Sequence, residues 1–102
     1  MKQVNPQQAK DLIAREDIII VDIRDPASYE EAHIHKAVLV NDHNIETFLH
    51  NLDKSKPILC YCYHGHSSQM AAQYFLEQGV KDVYSLIGGF EEWKELYPVE
   101  KQ

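Results

Sequence analysis

Hydrophobic and polar positions change period several times along this 102-residue chain. Asn5, Pro6 and Gln8 form a helix start, with Asn at the N-cap, Pro at the first helical position and Gln two residues further on. Ala9, Leu12 and Ile13 then fall three and four apart, on one helix face. Residues 18–23 read Ile-Ile-Ile-Val-Asp-Ile, aliphatic and β-branched without alternation. A strand covered on both faces has this pattern, and such strands belong to parallel sheets. Arg24-Asp25-Pro26 ends it, and Asp25 and Pro26 open a short helix to about Glu31. Ala37-Val38-Leu39-Val40 is the next strand, and Asn44 caps a helix with Ile45, Phe48, Leu49 and Leu52 on one face. Lys54-Ser55-Lys56-Pro57 turns into a strand at 58–61. A loop follows at 62–67, then a helix at 68–78 stopped by Gly79 and a strand at 83–86. Gly88-Gly89 turns the chain into a last helix, Phe90 to Leu96, ended by Pro98.

Strands and helices alternate four times in this reading. The predicted fold class is α/β: three layers, a mostly parallel sheet of four to five strands, and helices on both faces. Crossovers in such a sheet are right-handed. Ligands bind beyond the carboxyl ends of its strands. Asp22, Arg24 and Cys62 all fall at or near such ends. The length suits a single domain over 1–102, with no repeat or linker.

Charge narrows the partners. Ten Lys and Arg stand against sixteen Asp and Glu, a net charge of −6. No basic run is present, which argues against nucleic acid and an anionic membrane. A small anionic substrate must then be held by local dipoles rather than by the overall field. The start of the chain is polar, unlike a signal peptide, and Ile18 to Val21 is too short to span a bilayer. The two cysteines, Cys60 and Cys62, are two apart on a strand, a poor geometry for a disulfide. Reduced thiols in a cytoplasmic setting fit best.

The candidate chemistry lies in Cys62-Tyr63-His64-Gly65-His66-Ser67-Ser68. A cysteine sits where a buried strand ends, and a helix starts six residues later. Gly65 lets the loop between them curl. A curled loop aims successive N–H groups at one point, and the helix start adds more. With the Cys62 sulfur at the focus, thiolate is favoured over thiol, and thiolate is the nucleophile. Cys60, inside the strand, reads as a small core residue.

Other readings of the same residues are weaker. Cys60, Cys62, His64 and His66 alternate, as ligands of a metal would on an extended segment, but a loop that curls at Gly65 separates them. Structural zinc sites draw on two separated pairs. His64 and His66 read as exposed rim residues rather than as the base for Cys62. Asp22 reads as a structural partner at its strand end, with Arg24 left open. Gly88-Gly89 has neither phosphate-loop spacing and reads as a turn that lets Phe90 and Trp93 cover the core.

Three stretches resemble the signatures of the rhodanese (sulfurtransferase) family. Val21-Asp22-Ile23-Arg24-Asp25-Pro26, followed by Tyr29 and His33-Ile34, is similar to its first signature. Cys62 to Ser68 is similar to its active-site loop, and Gly88-Gly89-Phe90-Glu91-Glu92-Trp93 to its C-terminal signature. The likeness covers residues 21–93. With Leu39-Val40-Asn41-Asp42, it points most nearly to the single-domain bacterial thiosulfate sulfurtransferases of the glycerol-3-phosphate regulon. Two positions where the family often has glycine hold Ala32 and Lys36, which bears on the local turn. His66 stands where the near relatives carry a smaller polar residue.

The resemblance implies a Cys62 persulfide formed from thiosulfate and discharged to cyanide or a thiol, thioredoxin among the candidates. It implies substrate binding by loop amides from Tyr63 to Ser68 (Tyr63, His64, Gly65, His66, Ser67, Ser68), with help from the Ser67 or Ser68 hydroxyl. No metal or organic cofactor is implied. Two alternatives stand beside it. One is a persulfide carrier that exchanges sulfur with proteins. The other is a phosphatase or arsenate reductase of similar fold, whose Cys-x5-Arg would need arginine at Ser68.

Overall fold

The computed structural model describes residues 1–101. Its elements, in chain order, are β1 (Lys2–Val4), α1 (Pro6–Arg15), β2 (Ile19–Asp22), α2 (Pro26–Glu31) and β3 (Val38–Leu39), then α3 (Ile45–Asn51), β4 (Ile58–Tyr61), α4 (Ser67–Glu77), β5 (Val83–Leu86) and α5 (Gly89–Leu96). The strands form one sheet in the order β1-β5-β4-β2-β3, and every neighbouring pair is parallel. The α/β fold with a five-stranded parallel sheet is thus the one the alternation of elements predicts.

The run of apolar residues in β4 follows from its central place. Ile58, Leu59, Cys60 and Tyr61 are all fully buried. Successive side chains of a strand point to opposite faces. Ile58 and Cys60 join one core with Val21, Ala72, Phe75 and Val83, covered by α3 and α4. Leu59 and Tyr61 join the other with Ala9, Leu12, Phe90 and Trp93, covered by α1 and α5. Cys62, the next residue in the alternation, falls on the α4 side.

Two local readings needed the structure. β1 is a three-residue edge strand of which only Val4 is buried, so no periodicity marks it; it exists because β5 offers a free edge for pairing. Asn44 does not cap α3 with its side chain. Its amide instead donates to the Leu39 carbonyl (2.8 Å) and accepts from the Asn41 N–H (2.8 Å), closing the turn after β3. Asn5, by contrast, makes the expected reciprocal cap with Gln8, at 2.8 and 2.9 Å.

At the ends of β2 and β4 the core contains a charge. Asp22 is fully buried and Arg24 nearly so. Arg24 Nη2 lies 2.7 Å from Asp22 Oδ2, and Nε donates to both carboxylate oxygens at 3.1 Å. The Tyr61 hydroxyl donates to Oδ2 at 2.7 Å, and Arg24 Nη2 also donates to the Ala32 carbonyl at 2.6 Å. The guanidinium sits 4.0 Å from the Phe90 ring centroid. Buried charge is tolerable only when paired and hydrogen-bonded, and here it is both. Burial pushes the Arg24 pKa down, but the Asp22 bonds outweigh it and the net shift is upward. Burial pushes the Tyr61 hydroxyl up, so it stays a donor. Arg24, open in the sequence, is the structural partner of Asp22.

Gly88-Gly89 does more than turn the chain. Both residues have positive φ, +78° and +60°. A Cβ on Gly89 would stand 2.5 Å from the Tyr63 carbonyl and 2.6 Å from Cys62 O. The Phe90 N–H donates to Cys62 O (2.8 Å) and the Glu91 N–H to Tyr63 O (3.0 Å). Gly65, at φ +94°, returns the contact: a Cβ there would meet Gly88 N and Leu86 O at 3.0 Å. The two glycine turns are interlocked backbone to backbone.

Two backbone substitutions test this account by urea unfolding. Gly89→Ala forces both a strained φ and an overlap with backbone, and is expected to cost about 2–4 kcal/mol. Lys36 has φ +70° and is the one non-glycine residue at positive φ among those described. Lys36→Gly relieves that strain against a larger unfolded-state entropy, and is expected to stabilise by about 0.5–1 kcal/mol.

Candidate active site

The Cys62 side chain closes the α4 side of β4 and is 5% exposed. The loop curls over it through Gly65, whose left-handed backbone a side chain would strain. The Gly65 N–H donates to Cys62 Sγ at 3.2 Å and the Ser68 N–H at 3.3 Å. Ser68 Oγ is 3.5 Å away. Ser68 is the second residue of α4, so its N–H is one of the helix-start donors without an intrahelical partner. Burial pushes the Cys62 thiol up; the Ser68 hydroxyl and the amides of Ser68, Gly65 and His64 outweigh it, and the net shift is downward.

Cys60, two residues earlier, has the opposite environment. It is fully enclosed, and its thiol donates to the carbonyls of Ser68 (3.3 Å) and Tyr84 (3.4 Å). Burial, reinforced by nearby Cys62, pushes it up to about 12. One cysteine is surrounded by donors and the other by acceptors. Only the first is poised as a thiolate.

The structure brings Cys62, Gly65 and Ser68 together. The His64 amide adds to the field at the sulfur, while the His64 and His66 side chains are exposed on the rim. Ser67 is also exposed, so of the two hydroxyls it is Ser68 that reaches the sulfur. The Tyr63 side chain turns away from Cys62 and bonds to Asp25 and to the Ser28 hydroxyl (2.6 Å for the latter), tying the loop to α2. His33 stacks on Tyr29 (ring centroids 4.0 Å apart) and, through its backbone, bridges to Glu100. His35 pairs with Glu100.

Two contributors went unread in the sequence, and a third was read only as a turn. Gln69 Nε2 donates to the Gly65 carbonyl at 2.9 Å and braces the curl. The glycine pair 88–89 holds the loop from below, as described above. Ser85 lies 2.7 Å, oxygen to oxygen, from Ser68. Its signal was available: a serine in the middle of an aliphatic strand is a polar group that needs a partner.

Chemically, this is a nucleophilic sulfur in an anion cradle made of backbone dipoles. The cradle has no side-chain cation. Ser68 stands where a Cys-x5-Arg enzyme would have its arginine, and Arg24 is committed to Asp22. Among the described residues, no group of three or more His, Cys, Asp or Glu is placed to hold a metal ion, and no helix is long and apolar enough to cross a membrane.

Comparison with known proteins agrees with this geometry. The family model described as Rhodanese-like domain matches residues 5–96. The chain is 50% identical over 97 residues to the thiosulfate sulfurtransferase GlpE of Coxiella burnetii, covering 95% of this chain and 91% of that protein. It is 46% identical over 99 residues to the GlpE of Pseudomonas putida, covering 97% and 90%. Its fold is similar to the crystal structure of a rhodanese-like domain protein from Staphylococcus aureus, with a TM-score of 0.86 at 22% identity, covering 100% of this chain and 99% of that one. The chain belongs to the rhodanese family.

Proposed function

We propose that this protein is a thiosulfate sulfurtransferase that works through a persulfide on Cys62. The observation that carries the reading is the convergence of the Gly65 N–H, the Ser68 N–H and the Ser68 hydroxyl on one sulfur. The naming of relatives up to 50% identical as thiosulfate sulfurtransferases supports it.

In the first half-reaction the Cys62 thiolate attacks the outer sulfur of thiosulfate. The Cys62–S bond forms, the S–S bond of thiosulfate breaks, and sulfite leaves with the bonding pair. Cys62 then carries a persulfide anion. In the second, cyanide or a thiolate attacks that terminal sulfur and the electron pair returns to Cys62 as thiolate. The amides of residues 63–68 hold the anionic sulfur in each state, and the Ser68 hydroxyl adds a donor. Such a cycle gives ping-pong kinetics. Sulfur transfer of this kind needs reduced Cys62, which fits a cytoplasmic setting.

A second reading has one observation in its favour. Tyr63 and Ile87 are exposed apolar side chains beside the two interlocked turns, and Met70 and Tyr74 are exposed on α4. Such a rim suits a protein acceptor, of which thioredoxin is the natural candidate, and the chain would then relay sulfur to it. An oxyanion-cleaving enzyme is disfavoured by Ser68 in the arginine place.

Two experiments test the proposal. After incubation with thiosulfate and removal of the excess, the intact mass is expected to rise by one sulfur atom and to fall back on addition of cyanide. Cys62→Ser should lose the adduct and transfer activity by about 10³-fold or more, while Cys60→Ala keeps most of both. Equal loss in the two variants contradicts the division of roles. Second, kcat/KM for thiosulfate should rise with pH and level off once Cys62 is ionised. The midpoint is expected below that of an unperturbed cysteine, because the donors around the sulfur outweigh its burial and the pKa shift is downward. A limb still rising above that value contradicts the cradle.

A further inference from the structure

Beneath the sulfur lies a second polar layer with no place in the mechanism so far. Ser85 is in the middle of β5, 1% exposed, in register with Cys60 of β4. It is on the α4 side of the sheet, between the aliphatic residues that pack there. Its Oγ is 2.7 Å from Ser68 Oγ, which is in turn 3.5 Å from Cys62 Sγ. Sulfur and two hydroxyls thus form one chain: Cys62, Ser68, Ser85.

The protons in that chain can be placed by satisfiability. Each hydroxyl has one proton to give. Among the described residues the Ser85 hydroxyl has one hydrogen-bond partner, Ser68 Oγ. Were Ser68 to donate to Ser85, the Ser85 proton would be left in the core without an acceptor. Buried donors left without an acceptor are rare. With Ser85 donating to Ser68, both hydroxyls are satisfied and the Ser68 proton is free for the sulfur. Donors in series also polarise each other, so a Ser68 hydroxyl that accepts a bond gives a stronger one.

We propose that Ser85 is a positioning residue of the sulfur site: its buried hydroxyl fixes the Ser68 hydroxyl with the proton aimed at Cys62. Ser85 touches no substrate and acts only through Ser68. The inference rests on the reading of Cys62 as the reactive thiolate. It has a direct consequence for the resting enzyme. The hydroxyl chain favours the thiolate, and it does so from a strand that no substrate reaches.

The test is the pH dependence of Cys62 alkylation by iodoacetamide, followed by peptide mass so that Cys60 is counted separately. Cys60 faces the pair from β4, His64 and His66 stand on the loop, and Glu91 and Glu92 open α5. All are common to every variant and cancel in the comparison. Ser85→Ala is expected to slow alkylation at pH 7 by roughly threefold to tenfold, with rates converging where Cys62 is fully ionised; this is a rise of about half to one pH unit in its titration. Ser85→Thr and Ser85→Val burden the core alike and differ in the hydroxyl, so Thr should titrate near the wild type and Val with Ala. In a Ser68→Ala background, Ser85→Ala should add nothing. The Ser85 assignment is overturned if Ser85→Ala titrates with the wild type, if Thr and Val behave alike, or if the effect persists without the Ser68 hydroxyl. Should wild-type Cys62 itself titrate as an ordinary thiol, the reading of Cys62 fails, and this inference with it.

Discussion

The thiolate we propose at Cys62 would be almost closed off from solvent and would need stabilising donors, and in this fold the backbone supplies most of them. The Cys62 sulfur accepts from the N–H groups of Gly65 and Ser68, and the Ser68 hydroxyl lies 3.5 Å from it. Backbone donors can converge on a point only if the chain curls tightly. The curl demands a left-handed residue, and Gly65 supplies it. It also brings the loop so close to the turn before α5 that a side chain at position 89 would overlap the Cys62 and Tyr63 backbone, hence Gly89; Gly88 beside it is left-handed, and a Cβ there would meet Glu92 of its own helix. Gly89, twenty-four residues downstream of the loop's own glycine, is therefore tied to how the loop curls over Cys62.

The sheet keeps this requirement apart from a second one. The strand ends place two charges near each other, and β4 assigns them to opposite faces. Tyr61 points to the α1/α5 side, where it bonds Asp22 of the buried Asp22–Arg24 pair. Cys62 points to the α4 side, among N–H and hydroxyl donors. Arg24 would be the strongest cation available to an anion at this end of the sheet. Pairing with Asp22, contact with the Ala32 carbonyl and seating on Phe90 keep it on the other face. The pair ties β2, β4, the end of α2 and α5 together and leaves the sulfur site to neutral donors.

Much of this could be read from the chain. The mostly apolar runs without alternation at 18–23 and 58–61 point to doubly covered parallel strands, because both faces are buried. The loop was legible because cysteine, glycine and two serines at a strand-to-helix junction make poor core, and the rhodanese resemblance rests on the same residues. What could not be read depends on contacts across the fold. Lys2–Val4 has no pattern of its own and becomes a strand only against β5. Asn44 looks like a cap, but the turn after β3 takes its amide. The side chains of Tyr63, His64, His66 and Ser67 sit in the motif yet do not touch the sulfur, since a curled loop turns its amides inward and most of its side chains out. Lys36 shows the reverse: a lysine, which favours no left-handed backbone, hid a position at φ +70°.

Recognition by neutral dipoles also suits the proposed cycle better than a fixed cation would. The thiolate and the persulfide each carry one negative charge, so the cradle meets the same charge in both half-reactions and need not rearrange between them. An arginine at position 68 would hold a dianionic donor more strongly through bidentate bonds. It would hold departing sulfite by the same bonds, and the product would leave more slowly. Serine there gives direction without net charge. The overall charge of −6 works the same way at a distance, since it does not draw in anions at large. Attraction begins only within reach of the amides, which screening and the acidic surface confine to the last few ångströms. Selection at this site is thus a matter of contact geometry at one sulfur, and the residues that set the geometry are mostly those that shape the backbone.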